Sequence, residues 1–411
     1  MAELAGAVIA RARAAGLDAA GIAHAAPFAR TRADLERRRA QGLAAGMQFT
    51  YRNPGRSTDP ARSLPGAAAL VVGALGYAEP APPRPDGGPA GRVARYAWRD
   101  HYADLRAALD QVAGVLRAAG WRARVVVDDN GLVDREAALR AGIGRYGKNA
   151  NVLLPGRGSW FVLGAVVTDA PLPPSVPDVP DLCGTCNRCI DGCPTGAIVA
   201  PGVVDARRCL AWLVQAPGPI PREHRAALAD RIYGCDDCQE VCPPNRAGQR
   251  RPTAPRPAAG EGAAPDDVWP SIAWLLSATD AELLDRHGRW YIAQRDPDHL
   301  RRNALVALGN VGDAADPATV DLVRRYLRSA RPMLRAHAVW AARRLGLDHL
   351  LDGVRGDADP EIRAELEATV ERRDRLSPER CGAGAAGPAI TRVRRVAAEE
   401  RADSVEPPRP A

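Results

Sequence analysis

Apolar and polar positions along this chain keep two different periods, and the switches between them divide it into parts. Leu4, Val8 and Ile9, within residues 1–16, share one side of a predicted amphipathic helix. A strand is predicted in "LDAAGIAHA" and a charged helix in "RTRADLERRRAQGL". The run "AAALVVGALGY" is apolar on both faces, as a central sheet strand is, and Gly73 and Gly76 leave room for close approach to its backbone. From about Asp100 the spacing of Leu105, Leu109, Val112 and Leu116 predicts a second amphipathic helix. A strand at 123–127, a turn at Asn130-Gly131 and a helix from about Val133 follow. A loop with Gly142, Gly144 and Gly147 then leads to a strand in "GSWFVLGAVVTD". Residues 1–170 therefore read as a mixed-sheet domain of strands and helices, in a chain of the α+β class.

Two proline-rich stretches, "APLPPSVPDVPD" and "PPNRAGQRRPTAPRPAAGEGAAPDD", bracket a small module at 178–245. Beyond the second, residues 270–376 contain a repeat. "HLRRNALVALGNVG" superposes on "MLRAHAVWAARRLG", with Arg301 on Arg335, Ala304 on Ala338, Ala307 on Ala341 and Gly312 on Gly346. A weaker third copy, "EIRAELEAT", follows. Alanine-rich helices at this period predict a HEAT-like helical array. Residues 377–411, including Cys381, have the composition of a disordered tail.

The chain has 411 residues, enough for several cores, and its 46% hydrophobic and 26% charged residues are ordinary for a soluble protein. The first helix lacks the apolar core of a secretory signal, and no apolar run reaches membrane-spanning length, so a cytoplasmic location is expected. The net charge is +7 and comes almost wholly from arginine, with Lys148 the single lysine. Nine arginines stand against three aspartates between residues 299 and 346, a local excess that suits an RNA backbone or a plain solvated face. Arg295, Arg301 and Arg302 at the entrance to the repeats, Arg335 one repeat on, and Gln215 and Arg222 farther upstream are the candidate RNA contacts.

The chemistry is concentrated between Cys183 and Pro243, which holds eight of the nine cysteines. They read Cys183-x2-Cys186-x2-Cys189-x3-Cys193-Pro, then Cys209, then Cys235-x2-Cys238-x3-Cys242-Pro. Zinc knuckles seldom add a third cysteine and a Cys-Pro to a C-x2-C pair, and cysteines this close form strained disulfides. The spacing is that of two [4Fe–4S] clusters in a ferredoxin-like module, where the last cysteine of each run ligates the other cluster. One cluster is thus assigned to Cys183, Cys186, Cys189 and Cys242, the other to Cys193, Cys209, Cys235 and Cys238. The long interval after Cys209, residues 210–234, predicts an insertion able to cover a neighbouring part.

The order of these parts resembles the cobalamin-dependent epoxyqueuosine reductases over roughly residues 1–375. The stretches that carry it are "GRSTDPARSLPGA", "ARYAWRDHYADLR", "VDREAALRAGIGRYGKN", "GSWFVLG", "CGTCNRCIDGCPTGAI", "DARRCLAW", "IPREHRAALADRIYGCDDCQEVCPPN" and "RRNALVALGN". The resemblance implies two-electron reduction of epoxyqueuosine to queuosine at the wobble position of tRNA, electrons passing through both clusters to cobalamin. It implies Asp134 as proton donor, against the plain alternative that Asp134 only caps its helix. It places corrin contacts at Arg56, Asp134, Lys148, Asn149, Gly158, Ser159, Asp236 and Val241. No histidine stands in an Asp-x-His-x-x-Gly context, so cobalamin is expected base-off with no protein histidine on cobalt. The implied partners are a tRNA anticodon stem-loop and a low-potential donor such as a flavodoxin or ferredoxin, with the enzyme a monomer away from membranes. Two other readings stay open: a reductive dehalogenase-like corrinoid enzyme acting on a small molecule, and a non-catalytic electron-transfer protein.

Overall fold

A computed structural model describes residues 1–176, 179–248 and 263–369; the expected tail at 377–411, with Cys381, and the middle of the second linker lie outside them. Four strands build the first part, in the order Ala19–His24, Ala69–Gly76, Phe161–Thr168, Ala123–Val127. Every neighbouring pair in this sheet is antiparallel, which corrects the mixed sheet expected from the sequence. The doubly apolar runs have another cause: helices cover both faces of the antiparallel sheet.

On one face, helices Ala2–Ala14 and His101–Ala118 bring Val8, Ala12, Leu105, Leu109, Val112 and Leu116 against Val71, Leu75, Val162 and Val166. Gly73 and Gly164 admit them, since a Cβ at either would meet Leu109 or Leu17 at 3.1 Å or less. Asp100 caps the longer helix, its carboxylate accepting the Ala103 amide at 2.9 Å. On the other face, Leu70, Val72, Ala74, Ala165 and Val167 meet Phe28, Leu35, Ala137 and Ala138. The last two lie on the helix Asp134–Arg140, which this packing fixes against the sheet.

The insertion at 210–234 forms two short helices, Leu210–Leu213 and Arg222–Leu228, and a strand, Arg231–Tyr233. The strand pairs in parallel with Arg92–Val93 of the first part. Leu210, Leu213, Ile220 and Leu228 share a core with Val306, Trp340 and Ala341 of the helical part, and Ile232 joins a second core there. The insertion is therefore the mortar between all three parts.

The two repeat copies become the helices Asp298–Val311 and Pro332–Leu345, which pack on each other through buried Ala304, Ala307, Ala338 and Ala341. Gly309 lets them close, since a Cβ there would stand 2.7 Å from the Trp340 ring. The helices Pro317–Leu327, Pro332–Leu345 and Pro360–Glu367 each start on a proline, whose missing N–H costs nothing in a first turn. No helix among the described residues is long and apolar enough to cross a membrane.

Candidate active site and cluster ligands

Cys189 rides on the short helix Arg188–Asp191 and Cys238 on Asp237–Glu240, with Cys209 at the N-cap of Leu210–Leu213. All eight module cysteines are free of disulfides. The charges that reach each thiol divide them into two sets. Cys242 is felt by Cys183, Cys189 and Cys186, whereas Cys238 is felt by Cys235, Cys209 and Cys193. Those neighbours fall within the quartets proposed from the spacing.

Burial pushes the Cys242 thiol up to about 11 and Cys235 up to about 12, and Cys238 rises further with repulsion from its neighbours. Bare, such thiols stay protonated at neutral pH; the positive charge of iron is what turns the crowd into stable thiolates. Donors to sulfur are already in place, with the Lys148 amide 3.4 Å from Cys183 Sγ and the Ala197 amide 3.2 Å from Cys193 Sγ. Two [4Fe–4S] clusters fit this donor set.

A ligand exchange between the runs has a direct test. Cys183→Ser and Cys242→Ser are expected to erase the same cluster, iron falling from about eight to about four per chain. Cys238→Ser should erase the other, as read by iron content and the spin-resonance signal that survives. Loss of one signal in both Cys242→Ser and Cys238→Ser would show that each run serves its own cluster.

Asp134 is the first residue of its helix, and the N-cap is Val133, so the plain capping role does not describe it. Its Oδ1 accepts the adjacent Arg135 amide at 2.7 Å. The carboxyl keeps some open surface yet is walled in by protein, and this desolvation raises its pKa against the opposing Arg135 charge and amide. Asp128 is raised too, by burial and then by the negative charge of Asp134. The Val133 amide donates to the Ser57 carbonyl at 2.8 Å, which sets the Arg56 loop against the start of this helix. Arg56 itself points into solvent and makes no ion pair among the described residues.

The cluster module meets this region through Asp236. Its carboxylate accepts the Arg95 amide at 2.8 Å, while the Tyr233 carbonyl takes the Ala94 amide at 2.9 Å. Sequence reading left Arg95 without a role. Its guanidinium lies over both Trp98 and Trp160, at 5.3 and 5.1 Å from the ring centroids, and its buried Nε has no partner among the described residues. Arg95, Asp236, Gly234 and Cys235 line a cavity of about 80 Å³, room for a small group and not for a macrocycle.

The other expected corrin contacts are engaged by protein. Lys148 Nζ donates to Asn187 at 2.9 Å, and Asn149 is buried with its amide 3.4 Å from the Cys238 carbonyl. Gly158 and Ser159 do serve a close approach, but of Asn245. A Cβ on Gly158 would fall 2.0 Å from Asn245 Oδ1, and Ser159 donates its amide to that oxygen at 2.5 Å and its hydroxyl to Gln239 at 2.9 Å. Val241 sits against Gly192 inside the cluster module. These side chains fasten the two parts together, whereas Arg56 and the Asp134 edge keep open surface for a bound cofactor. Asn245 and Gln239 were missed, although Asn245 ends the quoted "CPPN" stretch.

The expected RNA contacts need correction. Arg302 is fully buried and donates to the carbonyls of Leu213, Val214 and Ala216 at 2.7–3.2 Å, to that of Gly218, and to Asn303. Arg301 is held by Asp298 and Asp280 at 2.9 and 2.6 Å, and Arg335 by Asp357 at 3.0 Å. Positive charge on the repeats is thus largely spent inside the fold. Gln215 reaches the Tyr96 hydroxyl at 3.2 Å, and Arg222 pairs with Glu365 at 3.2 Å with about a third of its side chain exposed. Arg295 alone of the six stays exposed without an ion pair among the described residues, on a loop where Gln294 and Arg295 both take positive φ, 56° and 53°.

Fold and site together define an oxidoreductase with a two-cluster iron–sulfur module docked on a sheet domain. The profile of a 4Fe-4S double cluster binding domain matches residues 182–245, and that of epoxyqueuosine reductase QueG matches 57–129. The epoxyqueuosine reductase of Bacillus cereus is 33% identical over 376 residues, covering 89% of this chain and 96% of the relative. That of Staphylococcus aureus is 31% identical over 359 residues, 84% of this chain and 90% of the relative. A crystal structure of an epoxyqueuosine reductase with an epoxyqueuosine-modified stem loop of tyrosine tRNA superposes with a TM-score of 0.79 at 30% identity, over 89% of this chain and 97% of that one. The chain belongs to the epoxyqueuosine reductase family.

Proposed function

We propose that this protein reduces epoxyqueuosine to queuosine in the anticodon loop of tRNA, with two [4Fe–4S] clusters, cobalamin and Asp134 as its working parts. One observation carries the reading beyond family membership. The inner cysteine loop, Cys235–Cys238, is bonded through Asp236 to Arg95 of the same domain that holds a carboxyl at Asp134 with a raised pKa. A reductant and an acid are what an epoxide needs to lose its oxygen as water, taking up two electrons and two protons.

The first quartet flanks exposed loop residues Gly184, Thr185 and Asn187, and the second lies among buried Tyr233, Asp236 and Gln239, so electrons enter at the first and leave inward from the second. Cobalamin would be held by Arg56 and the Asp134 edge and would supply the low-potential chemistry that breaks the C–O bond. Asp134 would give a proton to the departing oxygen, a role that desolvation favours by raising the pKa of its carboxyl. The repeats, read as HEAT-like, and exposed Arg295 would receive the stem-loop phosphates, and the wobble base leaves its stack to reach the site.

The test is anaerobically reconstituted enzyme, given cobalamin, reductant and epoxyqueuosine-bearing tRNA, with nucleosides weighed by mass spectrometry. A loss of one oxygen atom from the modified nucleoside is the expected result. Unchanged nucleoside with both clusters intact and cobalamin bound would leave an electron-transfer role instead.

A further inference from the structure

The surface around the outer quartet holds a group of charges that the reaction does not use. Arg145, Lys148, Arg188 and Arg246 lie on or beside the segments that carry Cys183, Cys186, Cys189 and Cys242. Lys148 donates its amide to Cys183 Sγ and its ammonium to Asn187, the residue beside Arg188. Arg145 donates to the Val179 carbonyl at 3.0 Å, on the approach to Cys183. Arg188 opens the helix of Cys189, and Arg246 lies four residues past Cys242 with its Nε on the Glu240 carbonyl at 3.1 Å. Arg145, Arg188 and Arg246 are exposed, and Lys148 is half-buried.

Among the described residues none of the four makes an ion pair, whereas Arg222, Arg225, Arg301, Arg331 and Arg335 all do. Nearby acids are fewer. Asp191 is exposed, Glu240 is exposed and faces Arg95 at 3.9 Å, and Asp181 is turned onto the amides of Cys183 and Gly184, at 2.9 and 3.3 Å. Four cations without an ion pair, placed beside the ligands of the outward cluster, form a complementary face for an acidic partner.

We infer that this face docks a small acidic one-electron carrier of the flavodoxin type, with Arg145, Arg188 and Arg246 steering it onto the outer cluster. The inference rests on the proposed function for its electron sink, though not for its test. Each encounter moves one electron from a flavin hydroquinone, which becomes the semiquinone and releases a proton, to the outer cluster. Two encounters supply the two electrons that one epoxide consumes, with two protons, in giving an alkene and water. A carrier is favoured over RNA as occupant because electron transfer requires contact near the cluster edge, where these cations stand.

The experiment uses the full chain with both clusters oxidised, mixed anaerobically with photoreduced flavodoxin, following cluster bleaching in a stopped-flow instrument. The bimolecular rate is expected to fall steeply with added salt, and the double variant Arg145→Glu and Arg188→Glu to slow it about tenfold or more, as electrostatic steering does. Reduction by dithionite, which needs no docking face, should match the parent chain and shows that the variant's clusters are intact. Equal flavodoxin rates in variant and parent overturn the inference. So does a variant that keeps its flavodoxin rate and loses affinity for a tRNA stem-loop, which would make this an RNA surface. Because bleaching is read without substrate, a failed tRNA assay would leave this result standing.

Discussion

Asp134→Asn is expected to lower the single-turnover rate on epoxyqueuosine-bearing tRNA by about a hundredfold to ten-thousandfold, the range spanned by lost general acids. The amide keeps the size of the carboxyl and can still accept the Arg135 amide, so folding, both clusters and tRNA affinity should hold. The parent enzyme should show a matching pH profile. A proton donor works while protonated; desolvation raises Asp134, so activity is present below its pKa and declines as pH rises through a value above the ordinary carboxylate range. The neighbours that face it set the position of that limb. Arg135 pulls it down, and Asp128 feels the Asp134 charge, so the two carboxyls disfavour each other's ionisation. Arg135→Gln removes the main opposing charge and should move the limb to higher pH. An Asp134→Asn enzyme with parental turnover and an unmoved limb would assign the proton to another group.

The double-cluster module was readable from sequence because ligand spacing is local, and the charges felt by Cys242 and Cys238 are compatible with the proposed quartets. The strands and both long helices of the first part were readable from periodicity. Strand direction was not, because Ala69–Gly76 is apolar on both faces whether its neighbours run parallel or antiparallel. Arginine counting failed for a different reason. A sequence gives the sign of a charge and not its surroundings, and Arg301, Arg302 and Arg335 all turn toward acceptors that the chain supplies from elsewhere. Glycine patterns misled in the same way at Gly158, where the backbone that comes close is that of Asn245.

Arg302 is the clearest consequence of that failure, and its removal should be the most destabilising single change outside the cluster ligands. Its guanidinium is fully enclosed, and burial, aided by the nearby Arg225 charge, lowers its pKa to about 9, which still leaves it charged at neutral pH. No carboxylate answers that charge in its bonding shell; backbone carbonyls of residues 213–218 and the Asn303 side chain do. Those carbonyls belong to the turn after Leu210–Leu213, so one side chain from the helical part holds the loop that follows cluster ligand Cys209. Arg302→Met keeps the length and takes the guanidinium away from the carbonyls of Leu213, Ala216 and Gly218, while Val214 keeps the Asn303 amide. A loss of about 3–5 kcal/mol is expected, as when one side of a buried charged network is deleted. It should appear as a lower melting temperature at fixed scan rate and as new protease cleavage within 210–234. Exposed Arg295→Ala is the contrast: stability unchanged, tRNA affinity weaker and less dependent on salt. If Arg302→Met instead melted with the parent chain and lost only RNA affinity, the guanidinium would have to face the nucleic acid, and the clamp described above would be wrong.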